Sequence, residues 1–220
     1  AGHAIASTQY ALTSRTTLPA HNNSIGTPLE LTFSNSTYTI KGENVIMKVH
    51  SSKGITAWTH NGISVLPVGS ETSASPTYSN YRWIENDAPY GTDPYYETSN
   101  GITSRRFSVS ASEDGSTVKI TENATGNLCN YKFVYTVNRD GSVDLDAQYT
   151  VTGSNLRRIG MLMQFNPELS MTRYYARGPL DNTIDRKQGA DLGIYDLPVS
   201  QFHVDYVRPQ TSGDRQDLRW

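Results

Sequence analysis

The sequence contains only one cysteine, Cys129, among its 220 residues. A lone cysteine cannot form a disulfide within the chain. It also lacks a second thiolate with which to share a metal site, although histidines could still supply ligands. We therefore predict that Cys129 is a small, buried or half-buried residue rather than a reactive thiol.

Long apolar runs and a strong net charge are also missing. No run approaches the roughly 18 apolar residues that a membrane-spanning helix needs. The formal net charge of −2 gives no electrostatic reason to expect nucleic acid or an anionic membrane as a partner. The first residues, AGHAIASTQYALTS, lack the basic start and the apolar stretch of a signal peptide.

Several enzyme motifs are absent as well. The chain has no glycine-rich phosphate loop, no HExxH and no GxSxG. It also has no alternation of strand and helix patterns, which argues against a TIM barrel or a Rossmann fold. Glycosidases need two carboxylates across the scissile bond, and no local pattern selects a pair, so we nominate no catalytic residue.

Short alternating runs dominate instead, and none has the period of an amphipathic helix. Leu29, Leu31 and Phe33 alternate with polar residues, as do Val45, Met47 and Val49, which indicates half-buried strands. Residues 54–67, 107–123 and 131–153 each read as a β-hairpin. Their turns fall at Asn61-Gly62, Asp114-Gly115 and Asp140-Gly141. The succession predicts an all-β, antiparallel sandwich or barrel.

Two stretches, residues 67–100 and 174–220, break this rhythm and are predicted to be irregular. In the first, an amide, acids and an aromatic ring come close together in sequence. These groups suit the margin of a sugar site, a Ca²⁺ or Na⁺ site, or an ordered loop whose side chains cap turns, and all three interpretations stay open. The candidate binding residues are Arg82, Trp83, Glu85, Asn86 and Asp87.

His203 and Asp205 stand two positions apart, so on a strand they would share one face. Such a pair suits a general base, with Glu97 or Glu122 as possible acids elsewhere. A structural histidine satisfied by its neighbours is the competing interpretation, and we favour it.

The run over residues 156–220 resembles the small-chain domain of large, five-domain bacterial β-galactosidases. Matching positions are spread over the whole run, and a match at this many spaced positions is specific. They are Arg158, Gly160, Tyr174, Tyr175, Gly178, Pro179, Asn182, Asp185, Arg186, Tyr206, Val207, Pro209, Gln210, Gly213, Arg215, Arg219 and Trp220. The hairpin at residues 49–66 and the loop with Asn86-Asp87 are similar to that family too.

The resemblance implies an antiparallel supersandwich of the galactose-mutarotase-like kind over residues 21–220, incomplete at its C-terminal end. Residues 1–20 would be the end of a preceding immunoglobulin-like domain or a linker. The family's catalytic groups lie in a TIM barrel, so this piece would be non-catalytic and would place the Asn86-Asp87 loop near the mouth of the galactoside site. Its partners would be the other domains of the same chain and a carbohydrate.

The resemblance leaves other questions open. No cofactor is evident, although a Ca, Mg or Na ion stays open, and a bacterial source leaves both the cytoplasm and the periplasm. A stand-alone carbohydrate-binding module and an aldose mutarotase that depends on His203 are the alternative functions. The chain also departs from the family signature at Asp181, Thr183 and Thr211, which puts polar pairings built on the family's larger side chains in question.

Overall fold

The computed structural model describes residues 8–10, 12, 26–68, 75–80, 101–153, 158–207 and 212–220. These residues contain thirteen β-strands, two short 3₁₀ turns and no α-helix. The all-β prediction is therefore confirmed. Within these ranges no helix is long and apolar enough to cross a membrane.

All the pairings between the described strands are antiparallel, and most join strands that are consecutive in the chain. The strands are β1 (Glu30–Ser34), β2 (Thr37–Lys41), β3 (Val45–His50), β4 (Gly54–His60), β5 (Ile63–Ser64), β6 (Thr77–Ser79), β7 (Ile102–Ala111), β8 (Thr117–Gly126), β9 (Cys129–Asn138), β10 (Val143–Val151), β11 (Gly160–Leu162), β12 (Met171–Gly178) and β13 (Asp191–Pro198). The 3₁₀ turns cover Lys187–Gly189 and Val199–Gln201.

The chain divides into two compact units. We call residues 20–82 and 93–167 the sandwich unit, and residues 1–19, 83–92 and 168–220 the hairpin unit. The sandwich unit holds a five-stranded sheet, β1 to β5, a four-stranded sheet in the order β10-β9-β8-β7, and the ribbon of β6 with β11. The hairpin unit holds β12 paired with β13.

All three predicted hairpins are present, as the pairs β4–β5, β7–β8 and β9–β10. Asn61 and Gly62 have φ angles of 50° and 77°, the two left-handed residues that a type I′ turn requires. The prediction of two irregular stretches is wrong in part, because β6 lies within residues 67–100, and β13 and the end of β12 lie within residues 174–220. Gly193 and two aspartates obscured the alternation of β13 in the sequence.

The two larger sheets of the sandwich unit share one apolar core. On β3 the residues Val45, Met47 and Val49 are buried while Ile46 between them is exposed, as a period of two requires. Phe133 at the centre of β9 is fully buried. Phe33 departs from the expected burial because it lies near the exposed β1–β2 turn, where its ring packs on Tyr38.

Cys129 is 1% exposed in this core, which confirms the prediction of a buried thiol. Burial also raises the pKa of its thiol, so the reactive thiolate is disfavoured.

The turn between β7 and β8 predicts a pH effect. Asp114 accepts hydrogen bonds from the Ser116 backbone N–H at 3.0 Å and from the Ser112 hydroxyl at 2.8 Å. These bonds favour the charged carboxylate and lower its pKa from 3.8 to about 2. Because the folded pKa lies below the unfolded one, the carboxylate stabilises the fold above about pH 4, and this contribution disappears as the pH falls towards 2.

An NMR titration of the Asp114 carboxyl carbon measures this pKa directly. The variant Ser112→Ala removes one donor and should move the midpoint up towards 3.8, the ordinary value for an aspartate. A wild-type midpoint already near 3.8 would contradict the prediction.

Candidate functional site

Many residues of the family signature at 156–220 lie on or next to the β12–β13 hairpin. Tyr174 and Ala176 lie on the buried face of β12, and Tyr175 between them faces the other way. Tyr174 stands opposite Tyr195 on β13, with ring centroids 5.6 Å apart. The alternation therefore gives the two adjacent tyrosines different environments.

Residues 216–220 run along β12 and make backbone hydrogen bonds with it. Tyr175 donates its N–H to the Trp220 carbonyl at 2.8 Å and accepts from the Arg219 N–H at 2.7 Å. Arg177 donates its N–H to the Gln216 carbonyl at 3.0 Å. Both halves of the signature, which are about 40 residues apart, thus meet along β12.

Asn182 fastens the loop after β12 to this C-terminal segment. Its side chain is buried, with 1% of the residue exposed. The amide Nδ2 donates to the carbonyls of Arg177 at 3.0 Å and Leu180 at 2.9 Å, and Oδ1 accepts from the Gln216 N–H at 2.9 Å. Three bonds satisfy one buried amide, which is the arrangement expected of a structural asparagine.

Asp181, with a side chain 2% exposed, is the centre of a second network. Its Oδ2 accepts from the Tyr206 hydroxyl and from Arg186 Nη2 at 3.3 Å. Arg186 Nη2 also donates to the Tyr206 hydroxyl at 2.8 Å. The bond to Asp181 raises the pKa of Tyr206, and the bond to Tyr206 raises the pKa of Arg186.

Two departures from the family signature therefore still make polar pairings. Asp181 reaches Arg186 and Tyr206 despite its shorter side chain. Thr183 donates its hydroxyl to Asp185 and accepts from Arg186 Nε at 3.2 Å. The third departure, Thr211, lies outside the described residues.

Two more arginines are held by partners within the hairpin unit. Arg215 Nε donates to the Tyr174 hydroxyl at 3.0 Å, and its guanidinium lies 4.7 Å from the ring centre of Phe202. Arg177 Nε donates to Asp217 Oδ2 at 2.6 Å, and this bond is the main reason that the pKa of Asp217 is lowered. Both guanidinium groups are therefore bound by partners within the hairpin unit, which leaves them little capacity to act on a substrate.

His203 and Asp205 do come together, with Nε2 3.0 Å from Oδ1. The other ring nitrogen, Nδ1, lies 3.1 Å from the Ser212 hydroxyl. The side chains of His203 and Asp205 are 70% and 98% exposed. A pair this exposed is solvated by water, so the structure gives it neither the enclosure nor the fixed orientation that general-base catalysis uses.

Other predicted site residues cannot be placed. Arg82, Trp83, Glu85, Asn86 and Asp87 lie outside the described residues, as do Pro209 and Gln210. Gly213 is described and has a φ of 86°, a left-handed conformation that favours glycine. In the described part of the chain, no group of three or more His, Cys, Asp or Glu residues could hold a metal ion.

A polar cluster in the sandwich unit was missed as a site by sequence reasoning. Glu122 is 0% exposed, and its Oε1 accepts from Arg105 Nε and from the Tyr131 hydroxyl, both at 2.6 Å. Burial, and then the Glu122 carboxylate, raises the pKa of Tyr131 and of Tyr135 well above the ordinary value. The available signal was the acid at position 122 within the inward-facing series of β8, which a plain strand would fill with an apolar residue.

Comparisons with known proteins agree with this architecture. The family model described as the β-galactosidase small chain matches residues 14–220. A β-galactosidase of Priestia megaterium is 34% identical over 88 residues, which are 39% of this chain and 8% of that protein. A β-galactosidase of Lactobacillus delbrueckii subsp. bulgaricus is 38% identical over 65 residues, 30% of this chain and 6% of that protein. A third, from Pseudoalteromonas haloplanktis, is 29% identical over 91 residues, 40% of this chain and 9% of that protein. The matches therefore span less than a tenth of these relatives.

Proposed function

Because this chain belongs to the β-galactosidase small-chain family, we propose that it is a non-catalytic β-sandwich domain of an enzyme that hydrolyses terminal β-galactosides. In this role it stabilises the enzyme and shapes the mouth of the active site. Its partners are the remaining domains of the same chain, and the carbohydrate substrate is bound mainly by them. The 21–220 supersandwich of galactose-mutarotase-like type, with a boundary near residue 20, is part of the same proposal.

The observation that carries the proposal is the way the signature residues are used. The side chain of Asn182 makes three hydrogen bonds, and all three go to backbone groups of its own unit. Oδ2 of Asp181 is paired with Arg186, and Arg215 of the signature donates to the Tyr174 hydroxyl. Residues that act on a substrate keep donors, acceptors or a nucleophile available, whereas these hold two distant segments together. The signature therefore supports a structural role.

A hydrolysis assay with nitrophenyl β-galactoside tests this function. The isolated 220-residue chain is expected to be inactive. The β-galactosidase of Priestia megaterium should lose activity when the whole stretch that corresponds to this chain, and not only the 88 matched residues, is deleted, and it should regain activity when this chain replaces that stretch. The exposed variant Asn123→Ala serves as a control fusion that should behave like the unchanged chain.

Two results would contradict the proposal. Hydrolysis by the isolated chain would show that it carries catalytic groups of its own. Full activity and unchanged thermal stability of the deleted enzyme would show that such a domain neither stabilises the enzyme nor shapes its site.

A stand-alone carbohydrate-binding module is the second candidate, favoured by one observation. Trp220 is 51% exposed and packs edge-on against Tyr175 at 6.1 Å, which leaves an aromatic surface on which a sugar ring could stack. Saturable oligosaccharide binding that is lost in Tyr175→Ala would support it. An aldose mutarotase is the weaker alternative, and it requires anomer interconversion of galactose that is abolished by His203→Ala.

A further inference from the structure

A cavity of about 420 Å³ opens within the sandwich unit. The β6–β11 ribbon, the first residues of β7 and the turn after β3 form its walls. Its size falls in the range of small-molecule sites. Of the nine described residues that line it, seven are polar, and most of these carry hydroxyl groups.

The charge in this cavity is already balanced. Arg105 lines it, and Arg105 Nε is bonded to the buried Glu122 carboxylate at 2.6 Å. An anionic ligand would therefore meet a cation that has a partner and, behind it, a buried negative charge. A neutral ligand avoids that repulsion and can still accept hydrogen bonds from the guanidinium.

Several donors and acceptors on the wall remain available. Arg105 Nη2 reaches Ser75 Oγ only at 3.5 Å, and Nη1 has no partner among the described residues. The carboxamide of Gln164 likewise bonds to no described residue. Ile102 and Leu162 add an apolar strip to the same wall.

We propose that this cavity binds a neutral, polyhydroxylated molecule of monosaccharide size. The guanidinium and Gln164 would bond to its hydroxyl groups, and the C–H face of the ring would rest on Ile102 and Leu162. The cleft is open and makes few contacts on its outer side, so the dissociation constant is expected in the millimolar range, about 1–50 mM. This site is independent of the proposed structural role.

The test is an NMR titration of the ¹⁵N-labelled 220-residue chain with galactose, glucose and inorganic phosphate. Saturating shifts with either sugar, centred on the amides of Ser75, Ser104 and Arg105, are expected. The variant Gln164→Ala removes a bonding side chain from the cavity wall and should weaken sugar binding at least fivefold. Its matched control is Gln201→Ala, an exposed glutamine outside the sandwich unit, which should bind as the wild type does.

Three outcomes would overturn the site. Shifts that stay linear and small for both sugars would show that no site exists. Equal sugar binding by Gln164→Ala, with a wild-type spectrum elsewhere, would place the binding on another surface. Phosphate that binds more tightly than the sugars would make this an anion site and contradict the charge argument. None of these results depends on galactosidase activity, so the site and the proposed function can fail separately.

Discussion

Replacing Arg105 with methionine is expected to lower the free energy of unfolding by about 3–5 kcal/mol, the usual cost of leaving a buried charge without its partner. Glu122 is 0% exposed, and in the described part of the chain its Oε1 has two donors, Arg105 and Tyr131. Its Oε2 has no partner among the described residues. Methionine keeps much of the packing of the arginine stem but removes the charge. Urea unfolding followed by circular dichroism measures the change.

The control for this prediction is Arg106→Met on the same strand. Arg106 points outward and is exposed, so its replacement should change stability by no more than about 0.5 kcal/mol. The double variant Arg105→Met with Glu122→Leu removes both charges and should recover most of the loss, because an apolar pair of similar volume needs no compensation. Equal stabilities for the wild type and Arg105→Met would mean that the buried carboxylate does not depend on this arginine.

The sheets of the sandwich unit could be predicted because their signals are local. The period of two along β3 predicts that Val45 and Met47 face the core and that Ile46, between them, faces outward. Asn61-Gly62 specifies its turn through backbone conformations that few other residue pairs adopt. Neither inference needs any knowledge of a distant part of the chain.

The sites resisted prediction because their partners are remote in sequence. Glu122 was considered only as a possible acid, since nothing near it shows that Arg105, 17 positions earlier, shares its pocket in the core. His203 and Asp205 were expected to share one face if they lay on a strand; no strand forms at these residues, and both their contact and their solvent exposure depend on tertiary structure. For Asn182, the family resemblance marked the position without identifying its partner, Gln216, which is 34 residues away.

That last contact gives the second large effect, in the hairpin unit. Replacing Asn182 with alanine removes three hydrogen bonds and leaves the carbonyls of Arg177 and Leu180 and the N–H of Gln216 without this partner. At a net value of roughly 0.5–1.5 kcal/mol for each bond, the loss should be about 2–4 kcal/mol. Hydrogen exchange at the Gln216 amide reports this unit specifically, and its protection should fall in step.

Two variants separate the lost bonds from a general effect of substitution. Asn182→Asp keeps the acceptor for Gln216 but replaces the donating amide by an oxygen that faces two carbonyls, so we expect it to be at least as destabilising as alanine. Asn123→Ala makes the same truncation at an exposed position of β8, where no side-chain bond is lost, and should change stability by no more than about 0.5 kcal/mol. If Gln216 kept its protection in Asn182→Ala, the C-terminal segment would be held by its backbone bonds to β12 alone. The asparagine of the signature would then need another explanation, and a direct contact with the rest of the enzyme would be the first to test.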